Sequence, residues 1–263
     1  RFRQGEPAWP SEDGTPALIA EIDGGMVPIV HSDVQQDDRR KGKRLLWKEA
    51  KLCLAHAHGS ATPVYGGTLL GGVDEAGREV RACAIAAGLG QRTQVHAVGD
   101  GAPWIADQVA QQLGTQGHYL VDFFHVCDYL APAAKVCAPE DSNAWLERQK
   151  ARLKANRSAA VLGDLLGAIE SPSLPDEEAP VRLCHRYLHK RRAQLDYAGA
   201  RAAGLPIGSG EIESAHRYVV QQRLKRPGAW WTPENAEAML ALRLVRANDQ
   251  WADYWQGLDK QAA

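Results

Sequence analysis

The chain has 263 residues, 44% of them hydrophobic, and its 31 basic side chains against 32 acidic ones leave a net charge of −1. So even a balance excludes a protein that holds nucleic acid by bulk attraction, and any such grip must be local. No apolar run is long enough to cross a bilayer. Five cysteines, Cys53, Cys83, Cys127, Cys137 and Cys184, form no CxxC pair and read as free, mostly buried thiols of a cytoplasmic protein rather than as a disulfide framework.

Residues 1–17 begin with Arg, are rich in Pro, Gly and charge, and lack the regions of a secretory signal, so they read as a linker from something upstream. Leu18 to Asp23 reads as a short buried strand broken by Gly24-Gly25, with Met26 to Val30 as its hairpin partner. Trp47 to His56 is expected as a third strand, although Ala, Leu, Lys and Glu there also suit a helix. A Gly-rich loop spans Gly66 to Gly72, followed by a helix from about Asp74 to Ala87 and a strand from Gln94 to Val98 that ends at Gly99-Asp100-Gly101. A helix from Ala102 to Leu113 carries Pro103 in its first turn, where a missing N–H costs least. Tyr119 to Phe124 is expected as the next strand. The order is β-β-β-α-β-α-β, an α/β arrangement with a mixed sheet, over residues 18–125.

Residues 126–205 turn to Ala, Leu, Lys, Arg and Glu at helical spacing, broken by Ser171-Pro172-Ser173-Leu174-Pro175, and read as an all-helical insertion. The closing part, 206–263, opens with Pro206-Ile207-Gly208-Ser209-Gly210. A helix start near Ser209 puts Glu211 and Glu213 in or near the first turn. An Arg-Pro-Gly-Ala-Trp-Trp turn and a helix from about Pro233 to Asn248 complete the chain.

Asp23 and Asp100 each close an expected strand and each precede a glycine. In an α/β sheet that is where chemistry is presented, but an Asp-Gly pair is also a common turn former. Acids in a first helical turn likewise serve the helix dipole, so Glu211 and Glu213 carry that reading too. Three carboxylates brought together would repel one another without cations between them. Mg²⁺ suits such oxygen donors, and two ions about 4 Å apart can activate the attacking oxygen and stabilise the leaving oxygen of a phosphodiester displacement.

The chain resembles DDE transposases with an RNase H-like catalytic domain, most closely the ISKra-type insertion-sequence transposases related to the Mutator group. The resemblance is carried, in order, by A-E-I-D-G-G-M-V-P, W-K-E-A-K-L, V-G-D-G-A-P-W-I, D-F-F-H-V-C-D-Y-L, L-P-I-G-S-G-E-I-E-S-A, R-L-K-R-P-G-A-W-W and W-A-D-Y-W-Q. It implies Asp23, Asp100 and Glu213 as catalytic, metal-holding residues, with two Mg²⁺ ions for which Mn²⁺ could substitute, and leaves Glu211 as a helix-start acid. Asp122 and His125 match a D-x-x-H signature and become accessory candidates, with a satisfied strand-end His as the alternative. The implied activity is cleavage at DNA element ends and strand transfer into target DNA, by a homo-oligomer. A catalytically silent DNA-binding descendant, or a nuclease or resolvase of the same fold, are the alternatives.

Arg223, Lys225 and Arg226 are expected to contact DNA phosphates, and Trp230 and Trp231 either to stack on a base or to anchor packing. Lys43, Arg44 and the basic residues of the insertion read mainly as solvated faces. His216, one turn after Glu213, reads first as a packing residue. Cys184, His185 and His189 have the spacing of a zinc-binding helix but no second ligand pair.

Overall fold

The computed structural model describes residues 14–32 and 42–262; the expected linker therefore lies almost wholly outside them. Five strands, β1 (Ala17–Ser32), β2 (Lys43–Ala57), β3 (Val64–Thr68), β4 (Gln94–Gly99) and β5 (Gly117–Val121), form one sheet in the order β3-β2-β1-β4-β5. With helix α1 (Val73–Ala86) before β4 and α2 (Pro103–Leu113) before β5, this is the RNase H-like topology. The order β-β-β-α-β-α-β holds, and Leu18–Asp23 and Trp47–His56 lie in β1 and β2, but the third of these strands is not the expected one.

Gly24-Gly25 does not turn the chain. β1 runs straight through it and pairs antiparallel with β2 from Leu18↔Ala57 to Ser32↔Lys43, so Met26 to Val30 continues the first strand. The glycines make room instead: a Cβ on Gly24 would lie 2.2 Å from Glu49 Oε1, and one on Gly25 2.7 Å from His216 Nδ1. The strand that replaces the expected hairpin partner is β3, inside what reads as a Gly-rich loop. Gly66 and Gly67 sit in it because side chains there would strike the Cys83 sulfur and the Lys51 carbonyl. At the sheet's edge the main chain of Tyr65 is satisfied by Asn248, whose Oδ1 accepts from Tyr65 N and whose Nδ2 donates to Tyr65 O. That side-chain amide covers part of an edge that would otherwise be open to pairing.

Two compact units emerge. The first holds the described residues up to Ala97, with Pro103–His118 and the chain from Gly210 onward. One of its cores packs Val27, Ile29, Ala50, Leu52 and Leu54 of β1 and β2 against Ile212, Ala215, Val219 and Val220, and against Ala236 and Leu240 of helix α10 (Pro233–Ala247). Between them run α8 (Gly210–Ala215), a π-helical turn at His216–Gln221 and α9 (Gln222–Leu224). Beyond α10 lies α11 (Trp251–Ala262), a helix that the sequence reading did not name.

The second unit holds Val98–Ala102 and Tyr119–Ser209. Its helices α3 (Phe123–Cys137), α4 (Ser142–Lys154), α5 (Ser158–Leu166), α6 (Pro180–Lys190) and α7 (Tyr197–Ala202) bear out the expected all-helical block. Phe123, Leu130, Trp145, Leu153, Leu165, Leu188 and Tyr197 form its apolar core. All five cysteines are free, and burial pushes the thiols of Cys127 and Cys184 up to about 11 and about 12. Among the described residues no helix is long and apolar enough to cross a membrane.

Candidate functional site

Asp23 lies in the middle of β1 rather than at a strand end, opposite Leu52 of β2. Side chains alternate along a strand, so Glu21, Asp23 and Gly25 share one face, the face that bears α8. Asp23 is half-buried, and its Oδ1 accepts from Gly24 N at 2.7 Å. Its Oδ2 lies 3.4 Å from Nε2 of the buried His216, within ion-pair reach but out of line for a hydrogen bond.

Two contacts seat α8 on this strand. Glu21 is buried on β1 and accepts from Ile212 N at 2.7 Å, satisfying one of the N–H groups that a helix start leaves unpaired. One turn on, the His216 ring lies over Gly25 and faces Asp23. Glu213 falls between these anchors and is exposed. Glu211, also exposed and in the first turn of α8, brings Oε2 to 3.2 Å from His56 Nε2.

His216 begins a π-helical turn, and such turns are rare and frequent at functional sites. The wider register leaves main-chain carbonyls without their usual partners. Arg243 of α10 takes up two of them, donating from Nε to Val219 O at 3.3 Å and from Nη2 to Tyr218 O.

Asp100 follows β4 directly, as expected. The structure bears out the turn-forming part of its reading: Oδ1 accepts from Ala102 N at 2.7 Å, and Gly101 adopts φ +83°. What the sequence did not disclose is how the helical unit holds this turn. Tyr187 donates to Asp100 O at 2.6 Å, Arg191 Nε donates to Gly101 O at 2.5 Å, and Tyr119 Oη accepts from Gly101 N at 2.9 Å. The Arg191 guanidinium stacks 3.9 Å above the Tyr187 ring. Burial raises both phenols well above their ordinary range, so they stay protonated at any working pH.

Asp122 and His125 sit otherwise than a strand-end D-x-x-H would put them. β5 stops at Val121, and Asp122 is the N-cap of α3: its Oδ1 accepts from Phe124 N at 2.5 Å and from His125 N at 3.1 Å. Its Oδ2 accepts from Ser209 N at 2.7 Å and from Ser209 Oγ. Fully engaged in this way, Asp122 fastens the start of α3 to the residue just ahead of α8. His125 packs edge-on against Tyr129 and near Tyr187. The spacing is thus explained by capping, in which the residue three beyond the cap supplies an N–H.

The two adjacent tryptophans part company. Trp231 packs against the first unit's core with the Arg223 guanidinium 5.4 Å from its ring, and its carbonyl accepts from Val30 N at 2.8 Å. Trp230 is exposed, with Lys43 Nζ 4.7 Å from its ring. Arg223, Lys225 and Arg226 are all exposed.

Among the described residues no group of three or more His, Cys, Asp and Glu side chains stands ready to hold a metal ion. Cys184 is buried in the helical core, while His185 and His189 stack on each other with centroids 5.7 Å apart. No protein-family model, no curated protein and no solved structure matches the chain.

Proposed function

We propose that this chain is the catalytic domain of a DDE transposase, cutting DNA at element ends and joining the freed 3′-hydroxyl to target DNA. One observation carries the reading: the places of three acids in an RNase H-like fold. Asp23 lies on β1, Asp100 follows β4, which is the next strand in the sheet, and Glu213 lies on the helix after the helical block. Their positions support assignment as the catalytic carboxylates.

The donor set fits a hard divalent cation. All three groups are carboxylates, and Asp23 and Asp100 each turn Oδ1 to a nearby main-chain N–H, which orients the carboxyl. When bound, Mg²⁺ or Mn²⁺ would supply charge neutralisation at the phosphate and activation of the attacking oxygen. The chain's own residues set the geometry on which such chemistry depends. Glu21 and His216 seat the Glu213 helix on β1, while Tyr119, Tyr187 and Arg191 hold the Asp100 turn. Arg223, Lys225 and Arg226 supply phosphate contacts for the DNA.

The test is incubation of end-labelled element DNA with Mg²⁺ and either wild-type protein or Asp100→Asn. Cut and joined products from the wild type, both abolished in the variant with DNA binding retained, are expected. Cutting without joining would identify a nuclease or resolvase. Binding with neither product would identify a silent DNA-binding descendant.

A further inference from the structure

The outer half of β1 and β2 forms a two-stranded ribbon, paired from Met26↔Glu49 to Ser32↔Lys43. The free edge of β1 there is taken up by the turn after α9, through a parallel bridge Ile29↔Trp231 and the bond from Val30 N to Trp231 O. Pro28, two residues before Val30, directs its missing N–H to the same side and costs the β1–β2 ladder nothing. Because side chains alternate, Trp231 turns to the core face with Val27 and Ile29, and Trp230 turns to the other face.

On that other face four large apolar side chains are exposed. Met26 is 45% exposed, Leu45 56%, Trp47 56% and Trp230 58%. Trp47 lies opposite the half-buried Pro28 and Leu45 opposite the buried Val30, and Lys43 reaches the Trp230 ring. Single exposed apolar side chains are ordinary, but a contiguous patch marks an interaction surface.

Charge decides the partner. In a chain of net charge −1, the three segments that build this tip, residues 26–32, 42–49 and 222–232, contain a single acid, Glu49, which lies on this face opposite Met26. They contain Lys43, Arg44, Lys48, Arg223, Lys225 and Arg226. Glu49 is paired with Lys51 at 3.0 Å. The connecting residues 33–41, outside the described residues, balance Asp33, Asp37 and Asp38 with Arg39, Arg40 and Lys41. Exposed indole rings, one of them against Lys43, on a face whose acid is already paired with a lysine, match a polyanion with flat apolar faces.

We propose that this ribbon face binds unpaired DNA, stacking bases on Trp47 and Trp230 while Lys43, on the same face, meets the phosphates. The choice of DNA rests on the transposase reading; the stacking surface does not. It separates the roles of the two tryptophans, with Trp230 in contact with DNA and Trp231 fixing the turn that presents it.

Fluorescence anisotropy in EDTA, with a short labelled single strand and a blunt duplex of the same sequence, tests the surface without requiring catalysis. Trp47→Ala and Trp230→Ala should each weaken single-strand binding about tenfold, with a smaller loss for the duplex, and Trp47→Phe and Trp230→Phe should restore most of it. Lys43→Gln should reduce the salt dependence of binding by about one phosphate contact. Unfolding midpoints matching the wild type confirm intact folding of the Ala variants. The proposal is overturned if both Ala variants bind the single strand as the wild type does. It is equally overturned if sedimentation of the DNA-free protein shows a dimer that they dissociate, which would make the patch an interface between copies. A wild type that neither cuts nor joins DNA, yet loses strand binding in the Ala variants, contradicts the proposed function and upholds the ribbon. Normal cutting and joining with binding unchanged in these variants does the reverse.

Discussion

The turn that carries Asp100 and the helix that carries Glu213 are held by opposite means. Asp100 belongs to the helical unit, where two phenols and a guanidinium bond to the main chain of the turn while the carboxylate accepts from Ala102 N. Glu213 belongs to the sheet unit, where its helix is seated by ionisable side chains: Glu21 on Ile212 N, His216 beside Asp23, and His56 beside Glu211. A turn gripped through its backbone tolerates change in its acid. The helix is seated by groups that are themselves neighbours of the acids, so changes there should register in activity before they register in folding.

The largest effect should come from Asp122, which caps α3 and bonds Ser209 within the helical unit. Asp122→Ala removes the acceptor of the N–H groups of Phe124, His125 and the buried Ser209 and should cost about 3 kcal/mol in urea unfolding. Asp122→Asn keeps one oxygen acceptor and should cost about half as much. On the Glu213 side, Glu21→Ala should lower strand transfer about a hundredfold through misplacement of the helix. Glu21→Gln, which still offers an acceptor to Ile212 N, should recover most of it; equal losses in the two variants would show that the bond does not position the helix.

On the Asp100 side, Gly101→Ala puts a methyl 2.5 Å from Tyr187 Oη at φ +83°. It should destabilise the protein by about 2 kcal/mol and should weaken with the companion change Tyr187→Phe, which removes the clashing oxygen. Tyr187→Phe alone deletes one hydrogen bond to Asp100 O and should cost about 1 kcal/mol. If it reduced activity as much as Glu21→Ala does, the contrast between the two regions would fail.

Most of the framework was legible because its signals are local. Apolar runs between Gly and Asp gave β4, Pro103 marked the start of α2, and helical spacing gave the block over residues 126–205, though its first helix starts at Phe123, inside the expected strand. Glycine was where the reading failed. Gly24-Gly25 and Gly66-Gly67 carry the signature of turns, yet they lie inside strands because Glu49, His216, Cys83 and the Lys51 carbonyl press against them. Close approach by a distant side chain leaves no local trace in the sequence.

The same limit applies to the candidate site. Asp23, Asp100 and Glu213 could be singled out by their order, whereas Glu21 looked like an ordinary charged residue in an apolar run. Its bond to Ile212 N spans 191 positions. An acid two residues from Asp23, and hence on the same strand face, was the one available clue. His216, read first as a packing residue, packs over Gly25 and also faces Asp23. The paired tryptophans were read as equivalent because strand alternation at Trp230-Trp231 exists only through the bridge to Ile29.

The central claim is that Asp23, Asp100 and Glu213 act on one set of divalent ions. Calorimetric titration of the full chain with Mn²⁺, repeated for Asp23→Asn, Asp100→Asn and Glu213→Gln, tests it most directly. Binding that is lost or sharply weakened in each of the three variants is the predicted result. Retention of full Mn²⁺ affinity by Asp100→Asn while Asp23→Asn loses it would contradict the account.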